Sequence, residues 1–304
     1  MKNDHPLVSI ILVNYNSSFL TLECIKSIFS SNYQSFKIIV VDNNSTLEDY
    51  NSITKTVNAF NWELLLFRNK INTGFASACN IGIDLAIQNQ SDFVLLLNND
   101  TTVTETFLEE LINFTQSRKQ ACVTSSLILY SEHPHNVWFA GGYISKLRAS
   151  GFHIRLTNPT TRLGFETEFL SGCCMLLPAS VIAKVGKLSE EYFLYLEDVD
   201  YCTRLKNSGI KMYVVPTSVI YHKVNATTKK YSSHLPLYYN SRNRLYYSKK
   251  YFPKYFIFTL IYLILTFTLK SLLELFSNKN NFHFYQKAIL DYFRGIKGEV
   301  NYFD

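Results

Sequence analysis

Two continuous apolar runs near the start of the chain, residues 7–13 and 36–41, flank a segment whose apolar residues recur at helical spacing. Ser17 or Ser18 can cap the helix that this segment predicts. The alternation continues with helices over about 46–60 and 74–88 and with strands at 64–67 and 93–97. Runs buried on both faces and joined by helices are typical of a parallel sheet. The first hundred residues therefore predict an α/β fold with a mostly parallel sheet flanked by helices.

The next 130 or so residues continue the pattern less regularly. They predict a helix from about 104 to 116, strands at 122–130, 169–177 and 212–215, and a short helix that ends at Gly186. Glu197 and Asp198 open a further helix that Gly209 terminates. Residues 131–165 contain several Gly and Pro and are expected to form a loop or hairpin beside the site.

Polar clusters stand where three of the predicted parallel strands end. They are Asn14-Tyr15-Asn16, Asp42-Asn43-Asn44 and Asn98-Asn99-Asp100. Sheets of this kind bind ligands at the carboxyl ends of their strands. No G-x-G pair and no G-x-x-x-x-G-K motif is present in the sequence, which excludes the dinucleotide fingerprint and the P-loop. A diphosphate would then be neutralised by a divalent cation that carboxylates hold.

The carboxylates at these positions each have a structural and a functional interpretation. Asp42 could accept hydrogen bonds from a nucleoside or could cap a helix, and an N-x-D motif after a strand, as at Asp100, forms a turn more often than a metal site. The group of Glu197, Asp198 and Asp200 is the sharpest signal. It is either a helix start with favourable acids or a site that contains a general base.

The last 78 residues differ from the rest in charge and in aromatic content. From Thr227 onward there are 12 Lys and Arg against 4 Asp and Glu, and 20 of the 44 Phe and Tyr. A basic, aromatic segment around an apolar run fits an anionic membrane surface better than a nucleic acid. Composition thus divides the chain into a domain of residues 1–226 and a basic, aromatic-rich, helical and amphipathic extension of residues 227–304.

The apolar run itself, residues 255–269, carries no charge. As a helix, 15 residues extend about 22 Å, which is less than the roughly 30 Å of a hydrocarbon core. A position in the membrane interface is therefore favoured over a span of the membrane, although recruitment of residues up to 276 would allow a span.

The six cysteines include no C-x-x-C pair, and the N-terminus does not resemble a signal peptide. These features predict reduced thiols and a cytoplasmic protein attached peripherally to the membrane.

Taken together and in order, the motifs resemble those of family 2 glycosyltransferases with the GT-A fold, which is Rossmann-like. Across residues 6–250 the matching stretches are VSIILVNYNSS, VDNNST, NKINTGFASACNIGI, LLLNNDTTV, WFAGG, FLSGCCMLLP, YFLYLEDVDYCTRLKNSGI, VIYH and YYNSRNRLYY. Each motif alone is weakly specific, whereas the ordered set is specific. Within the family, the chain is most similar to bacterial rhamnosyltransferase-like enzymes of cell-surface polysaccharide synthesis.

The resemblance implies a role for each residue that matches a family motif. The nucleotide-sugar would be bound by Asn14, Tyr15, Asn16, Asp42, Asn44, Asn72, Thr73, Gly74, Asn80, Asn98, Asn99 and Asp100. Asp100 and His222 would hold a divalent cation, Mn²⁺ or Mg²⁺, with Asn98 in place of the first acid of the D-x-D motif. Asp198 would be the general base and Glu197 would orient the acceptor. Trp138, Gly141 and Gly142 would lie beside the acceptor or the donor sugar.

These roles imply an inverting, metal-dependent transfer of a sugar from dTDP-rhamnose or a UDP-sugar to a glycan or lipid-linked acceptor. The expected partners are this donor, this acceptor and the inner leaflet of the membrane, with a homo-oligomer possible and no nucleic acid. Two alternatives stay open. The first is a nucleotidyltransferase, which has a similar sheet but normally a glycine-rich basic loop after its first strand. The corresponding residues here, NYNSSFL, contain neither Gly nor Lys. A non-catalytic sugar-binding scaffold subunit is the other.

Overall fold

The computed structural model describes residues 5–154, 163–224, 234–274 and 282–300. Its strands are β1 (Val8–Asn14), β2 (Phe36–Asp42), β3 (Leu64–Arg68), β4 (Phe93–Leu97), β5 (Thr101–Val103), β6 (Cys122–Tyr130), β7 (Val137–Phe139), β8 (Gly142–Ser145), β9 (Ser150–His153), β10 (Phe165–Thr167), β11 (Cys174–Pro178) and β12 (Lys211–His222). Its helices are α1 (Ser18–Phe29), α2 (Leu47–Ala59), α3 (Phe75–Gln88), α4 (Phe107–Ser117), α5 (Ala179–Val185), α6 (Glu197–Asn207), α7 (His234–Tyr251), α8 (Phe256–Glu274) and α9 (Phe282–Phe293). A single 3₁₀ turn, Pro253–Tyr255, joins α7 to α8.

One large sheet forms the centre of the fold, in the order β10-β12-β6-β11-β4-β1-β2-β3. β3, β2, β1 and β4 are parallel neighbours, and the register places Asn14 beside Asp42 and Asp42 beside Arg68. At the other end of the sheet, β12 runs parallel to β6 and its last residue, His222, pairs with Thr101 of β5. The register thus brings the predicted polar clusters and His222 to the same edge of the sheet.

The sheet is mixed, which corrects the expectation that it is mostly parallel. That expectation holds for β1 to β4, but β11 runs antiparallel to both β4 and β6. The reason lies between β6 and β11, where the described residues, 131–154 and 163–173, contain β7, the hairpin of β8 and β9, and β10 rather than a crossover helix. A chain that leaves β6 and returns without a crossover re-enters the sheet from the same edge, so the next strand must run in the opposite direction.

The strands that run through the middle of the sheet are buried on both faces, as their apolar sequences require. All five residues of β4 and of β11 are buried, and helix α3 packs its buried face on β1 and β2. Gly82 of α3 allows this contact, because a Cβ there would lie 2.5 Å from Ile11. All six cysteines are buried and free of disulfides, in agreement with the expectation of reduced thiols.

The C-terminal helices divide between the core and the surface. Tyr247 of α7 belongs to the main hydrophobic core, and α9 packs against α7. Helix α8 is largely exposed, with large apolar side chains on its surface at Ile257, Phe258, Ile261, Ile264, Leu265 and Leu269. Among the described residues, Pro253–Lys270 is the one helical stretch long and apolar enough to cross a membrane, at a mean hydropathy of 1.3. The predicted domain boundary at residue 226 lies outside the described residues and stays a prediction.

Candidate active site

The polar cluster after β1 is tied to the cluster after β2 by one buried side chain. The Asn14 amide nitrogen lies 2.9 Å from Asp42 Oδ1, 3.0 Å from Ser45 Oγ and 2.9 Å from Asp49 Oδ2. Its oxygen accepts a hydrogen bond of 2.7 Å from Thr21 Oγ1. Both Asn14 and Asp42 are fully buried. Their polar atoms are therefore used by the protein itself, and they fix the shape of this part of the edge.

The loop of residues 69–74 is held by a second asparagine, Asn43. Its amide donates to Asn72 Oδ1 at 2.7 Å, and its oxygen accepts from the backbone and hydroxyl of Thr73 at 3.1 and 3.2 Å. Gly74 has a φ of 82° and begins α3 where a Cβ would meet the carbonyl oxygen of Phe193 at 2.4 Å. Asn72, Thr73 and Gly74 thus form a fixed loop in contact with the segment that precedes α6.

The remaining predicted nucleotide-binding residues lie at different depths. Asn44 is exposed, whereas Tyr15 and Asn16 are half-buried, and the backbone amide of Asn16 donates to Ser45 Oγ. Asn99 donates to Ser17 Oγ and Thr21 Oγ1, both at 2.8 Å. These bonds link the turn after β4 to the start of α1. The four elements β1, β2, β4 and α1 therefore meet in one hydrogen-bonded network.

Asn80 is placed apart from this network. Its amide donates to the carbonyl oxygen of Leu188 at 3.0 Å and to Glu190 Oε1 at 2.8 Å, and its oxygen accepts from the Leu188 amide. These contacts anchor the loop that follows α5. The predicted contact of Asn80 with ribose or phosphate stays a prediction.

Asp100 and His222, the two cation ligands that the resemblance implies, lie side by side. Asp100 follows β4, His222 ends β12, and 3.0 Å separates Asp100 Oδ1 from His222 Nε2. Both side chains are more than 90% buried. Asp100 Oδ1 nevertheless lacks a hydrogen-bond partner of acceptable geometry among the described residues. Asn98, half-buried beside them, offers an amide where a second acid would stand in D-x-D.

This pair fits one end of a divalent-cation site. A carboxylate oxygen and an imidazole nitrogen that face one another without a proper hydrogen bond can both point to a shared ion. Within the described ranges no group of three or more His, Cys, Asp or Glu side chains could hold a metal ion. Two protein ligands are common where substrate phosphates and water complete the coordination of Mg²⁺.

Glu197 and Asp198 begin α6 directly after an unusual turn. Tyr195 and Leu196 have φ values of 67° and 76°, a left-handed conformation that costs non-glycine residues free energy and that is concentrated at functional sites. Asp198 Oδ2 accepts a hydrogen bond of 3.1 Å from the Gly172 amide. Glu197 is buried, and its Oε2 has no hydrogen-bond partner among the described residues. The turn therefore precedes two carboxyl groups, of which Asp198 accepts a backbone hydrogen bond at Oδ2 and Glu197 has no partner at Oε2.

Burial favours the protonated forms of both carboxyl groups, and the charge of Asp198 adds to this effect at Glu197. Burial, followed by the charge of Asp198, raises the pKa of Glu197 to about 8. Burial also raises the pKa of Asp198, although hydrogen bonds from the backbone amides of Gly172 and Val199 oppose the effect. Asp198 is the better supported anion of the pair, whereas Glu197 is poised to hold a proton.

Cys173 lies in the loop before β11, which contacts Asp198 through Gly172 and the turn that leads to Asp100 through Asn98. Burial raises the pKa of its thiol well above the usual value, and the charges of both Asp100 and Asp198 contribute. The backbone carbonyl oxygen of Cys173 also accepts a hydrogen bond of 2.9 Å from the backbone amide of Asn98. The loop before β11 thus lies between the two acids.

The third acid of the cluster faces away from the site. Asp200 is fully buried, and its carboxylate contacts Arg204 Nε at 2.8 Å, Lys250 Nζ at 3.0 Å and Tyr251 Oη at 2.9 Å. Lys250 and Tyr251 belong to α7, so Asp200 joins α6 to the C-terminal extension. Its role is structural.

Helix α7 also holds the turn that carries the two catalytic candidates. The Asn243 amide donates to the carbonyl oxygens of Leu194 at 2.9 Å and Tyr195 at 3.0 Å. Arg242 donates to Asn243 Oδ1 from two nitrogens, both at 3.2 Å, which fixes the amide so that its nitrogen faces the turn. Asn43 belongs to a predicted polar cluster but has no predicted role, whereas the resemblance places Arg242 and Asn243, in the stretch YYNSRNRLYY, near the active site without assigning them a contact.

The predicted acceptor side is an aromatic wall on the far side of His222. The Trp138 ring meets the His222 ring edge-on at 4.5 Å and the His153 ring at 4.8 Å. Gly141 and Gly142 lie at the base of the hairpin, where a Cβ would meet Thr167 Oγ1 at 2.7 Å and the Phe152 carbonyl oxygen at 2.3 Å respectively. Gly141 allows close packing against β10 and Gly142 against β9, while Trp138 is the residue that borders the site.

Comparison with known proteins places this arrangement in a family. Residues 9–186 match the model of glycosyl transferase family 2. The chain is 23% identical over 303 residues to the dTDP-rhamnosyl transferase RfbF of Shigella flexneri, with 95% of each chain covered. It is 39% identical over 74 residues, 24% of each chain, to the N-acetylglucosaminyl-diphospho-decaprenol L-rhamnosyltransferase of Mycobacterium tuberculosis.

Solved structures show the same fold at low sequence identity. The mannosyltransferase PcManGT from Pyrobaculum calidifontis, in complex with GDP-Man and Mn²⁺, superposes with a TM-score of 0.60 at 12% identity, covering 95% of this chain and 87% of that one. GalNAc-T7 with UDP, GalNAc and Mn²⁺ gives 0.61 at 14% identity, covering 80% of this chain and 51% of that one. With the family match over more than half its length, the chain belongs to glycosyl transferase family 2, has the GT-A fold and counts rhamnosyltransferases among its relatives.

Proposed function

We propose that this protein transfers a sugar, with inversion, from a nucleotide-diphosphate donor to a hydroxyl group of a glycan or lipid-linked acceptor in polysaccharide synthesis. The observation that supports this most is the pairing of Asp100 Oδ1 and His222 Nε2 at 3.0 Å, near the loop before β11 whose Gly172 amide binds Asp198. A non-catalytic scaffold would require neither a cation-binding pair nor a general base, and a nucleotidyltransferase would normally have a glycine-rich basic loop after its first strand, which residues 14–20 lack.

Asp198 is the residue proposed to act as the base. Its Oδ2 is held by the Gly172 amide, and the bond keeps the carboxylate oriented at the start of α6. A general base must reach the proton it removes within a hydrogen-bond distance, so an acceptor hydroxyl would approach Asp198 directly. One base opposite the leaving group gives inversion. Glu197, which favours its protonated form, would donate a hydrogen bond to the acceptor and orient it.

Asp100 and His222 are proposed to hold a divalent cation, which would supply charge neutralisation of the departing nucleotide diphosphate. The neighbours solved with Mn²⁺ support this assignment. Asp42, Asn43 and the loop of residues 72–74 would shape the nucleoside pocket, because they are fixed by one another before any donor binds. The named relatives favour dTDP-rhamnose as the donor, with a UDP-sugar as the second possibility.

Thermal shift tests this assignment without knowledge of the acceptor. Nucleoside diphosphates with Mn²⁺ or Mg²⁺ should raise the melting temperature more than without, because a ligand that binds only the native state stabilises it. Asp100→Ala should remove the cation-dependent part of the affinity and retain binding of the free nucleoside. Asp84→Ala, an exposed acid on α3 that pairs with Lys187, is the matched control. Equal loss of nucleoside and diphosphate binding in Asp100→Ala would contradict the assignment.

The C-terminal extension is proposed to attach the enzyme to the cytoplasmic face of the membrane. Two features support the proposal, namely the excess of basic residues after Thr227 and the exposed apolar surface of α8. The full chain should sediment with anionic vesicles and be released only in part by high salt, which screens charges but leaves apolar side chains inserted. Absence from the vesicle pellet at low salt would refute the attachment.

A further inference from the structure

Three basic side chains lie on the tip of the hairpin of β8 and β9 and on α7, two elements that both contact α8. Lys146 and Arg148 lie at the hairpin tip and are exposed, and Arg244 projects from α7. We call Lys146, Arg148 and Arg244 the basic cluster. The guanidinium carbon of Arg148 lies 5.3 Å from the centroid of the Tyr262 ring of α8. Burial lowers the pKa of Arg244, the hydroxyl group of Tyr262 opposes this effect, and the charge of Arg148 lowers the pKa further.

The basic cluster lacks a counter-charge. No carboxylate of the described residues lies within 4.0 Å of any of its three cations, and the buried Nε of Arg244 has no hydrogen-bond partner among them. Lys250 of the same helix, by contrast, pairs with Asp200 and Glu191. The positive charges of Arg148 and Arg244 repel one another, and a bound anion would relieve this repulsion.

The hairpin connects the basic cluster to the candidate active site. At its base, Gly142 pairs with His153, whose ring lies 4.8 Å from that of Trp138. At its tip, the Leu147 carbonyl oxygen accepts a hydrogen bond of 3.0 Å from Thr259 Oγ1 of α8. Each strand of the hairpin has four residues, which corresponds to about 10 Å between base and tip. This span suits a ligand with one sugar at the base and a phosphate group at the tip.

An apolar surface begins beside the basic cluster and continues along α8. Leu147 at the hairpin tip is exposed, as are Ile257, Phe258 and Ile261 on the adjoining turns of α8. A ligand anchored in a membrane would present a hydrocarbon chain to this surface and its polar head to the cations. The order along the protein is therefore apolar surface, basic cluster, hairpin and aromatic wall.

We propose that the basic cluster binds the diphosphate of a lipid-linked acceptor, whose hydrocarbon lies along α8 and whose sugar reaches Trp138 and Asp198. The proposal rests on the proposed function, since it identifies the acceptor of that reaction. Arg148 and Arg244 are suited to this ligand because a guanidinium binds phosphate oxygens in a bidentate manner. Phospholipid headgroups carry a related phosphate, so the experiment must distinguish the two sources.

Binding of farnesyl diphosphate to the full-length protein, measured by calorimetry in detergent with EDTA, tests the proposal. EDTA prevents the diphosphate from binding through a cation at Asp100 and His222. We expect farnesyl diphosphate to bind at least tenfold more tightly than farnesol or dihexanoyl phosphatidylglycerol. Arg148→Gln should weaken its binding by about tenfold to a hundredfold, the range for one charge-assisted interaction. Arg148→Lys should retain part of the affinity.

Lys270→Gln provides the matched control, because it removes one exposed positive charge from α8 about 16 Å along the helix from Thr259. Its affinity for farnesyl diphosphate should equal that of the wild type. Equal losses in the Arg148→Gln and Lys270→Gln variants, no loss in either, or equal affinity for phosphatidylglycerol would each overturn the proposal. The measurement needs neither donor nor turnover. Absence of sugar transfer by the wild type would therefore count against the proposed function alone.

Discussion

The two sides of the active-site edge are stabilised in opposite ways. On the donor side, Asn14, Asn43 and Asn99 use their amides in bonds to other protein groups and hold four elements together. On the catalytic side, the described structure leaves three buried polar atoms without partners, namely Asp100 Oδ1, His222 Nδ1 and Glu197 Oε2. Unpaired buried polar groups are rare in proteins and costly.

This difference indicates that the donor side serves to bind the donor and that the catalytic side serves the chemical step. The donor side forms its shape before a ligand arrives, which reduces the ordering cost of binding. The catalytic side contains groups whose charge and protonation depend on a cation, a substrate or a proton. Substitutions on the donor side should therefore affect folding stability, whereas substitutions on the catalytic side should affect rate and pH dependence.

The largest effect is expected for Asp198→Asn. An amide cannot remove a proton from the acceptor, so kcat should fall by about 10² to 10⁴ while the dissociation constant of the donor stays nearly unchanged. Steady-state kinetics and calorimetry of donor binding measure the two quantities. Glu168→Gln, which removes an exposed acid paired with Lys206, is the control for loss of charge. Turnover close to that of the wild type would remove Asp198 from the mechanism.

A smaller effect, and one of a different kind, is expected for Asn14→Ala. The change leaves Asp42 and Thr21 without their shared buried partner, so the free energy of unfolding should fall by about 2–3 kcal/mol. Urea denaturation measures the loss. Asn51→Ala, on the exposed surface of α2, should change stability by less than about 0.5 kcal/mol. If Asn14→Ala retains full stability and loses donor affinity instead, the donor side is not the rigid scaffold described above.

The sequence predicts the donor half of the fold well because its signals are local. The apolar runs and helical periods of the first hundred residues correspond to β1 to β4 and α1 to α3 within one or two residues. The directions of β11 and β12 could not be read in this way. They depend on which edge the chain occupies after residues 131–173, and that is a property of tertiary contacts rather than of periodicity.

The site residues also differ in how far the sequence predicts them. The roles of Asp100, His222, Glu197 and Asp198 follow from the resemblance to family motifs, because the local patterns at Asp100 and Asp198 leave a structural interpretation open, and the structure brings the first pair to 3.0 Å. The partners of Asn14 and Asn80 could not be foreseen, because an asparagine in a motif looks the same whether its amide faces a ligand or the protein. Asn243 lies 46 residues beyond Glu197 in the chain, and only the packing of α7 reveals its contact with the turn.

The pH dependence of stability should identify Glu197 as the group that holds a proton. In the unfolded chain Glu197 titrates near its ordinary value of 4.5, whereas the folded pKa is about 8. Between these values the folded state binds more protons than the unfolded state, so stability is fully present below pH 4.5 and falls as pH rises. The slope from this group is at most about 1.4 kcal/mol per pH unit and ends above pH 8.

Glu197→Gln should remove this part of the slope, which urea denaturation at several pH values from 5 to 8 can measure. Asp198→Asn is the comparison variant, because the pKa of Asp198 is raised in the same direction but its carboxylate is supported by the Gly172 amide. Identical slopes in the wild type and in Glu197→Gln would mean that Glu197 is ionised in the folded protein, and its role as a hydrogen-bond donor to the acceptor would be lost.

The smallest effect is expected for Asn243→Ala, which tests whether the catalytic side depends on the C-terminal extension. Asn243 is a positioning residue, because it contacts the carbonyl oxygens of Leu194 and Tyr195 and not the reacting groups. Without these bonds the left-handed turn before Glu197 loses part of its support, and Asp198 should be less often in the reactive orientation. We expect kcat to fall about fivefold to tenfold, equivalent to about 1 kcal/mol, with the KM of the donor unchanged.

The control lies on the same helix. Asn240→Ala removes one amide bond, to the Pro236 carbonyl oxygen within α7, and should leave both kinetic constants unchanged. Both variants are compared well below their melting temperatures, because loss of the Arg242 partner also lowers stability. If Asn243→Ala raises the KM of the donor as much as it lowers kcat, α7 supports the whole edge rather than the catalytic turn. Such an effect on the donor side is physically plausible, because Gly74 and Phe75 of the donor side contact Phe193, which lies in the segment that Asn243 supports. The comparison would then be between the sheet and the C-terminal extension, and no longer between the donor side and the catalytic side.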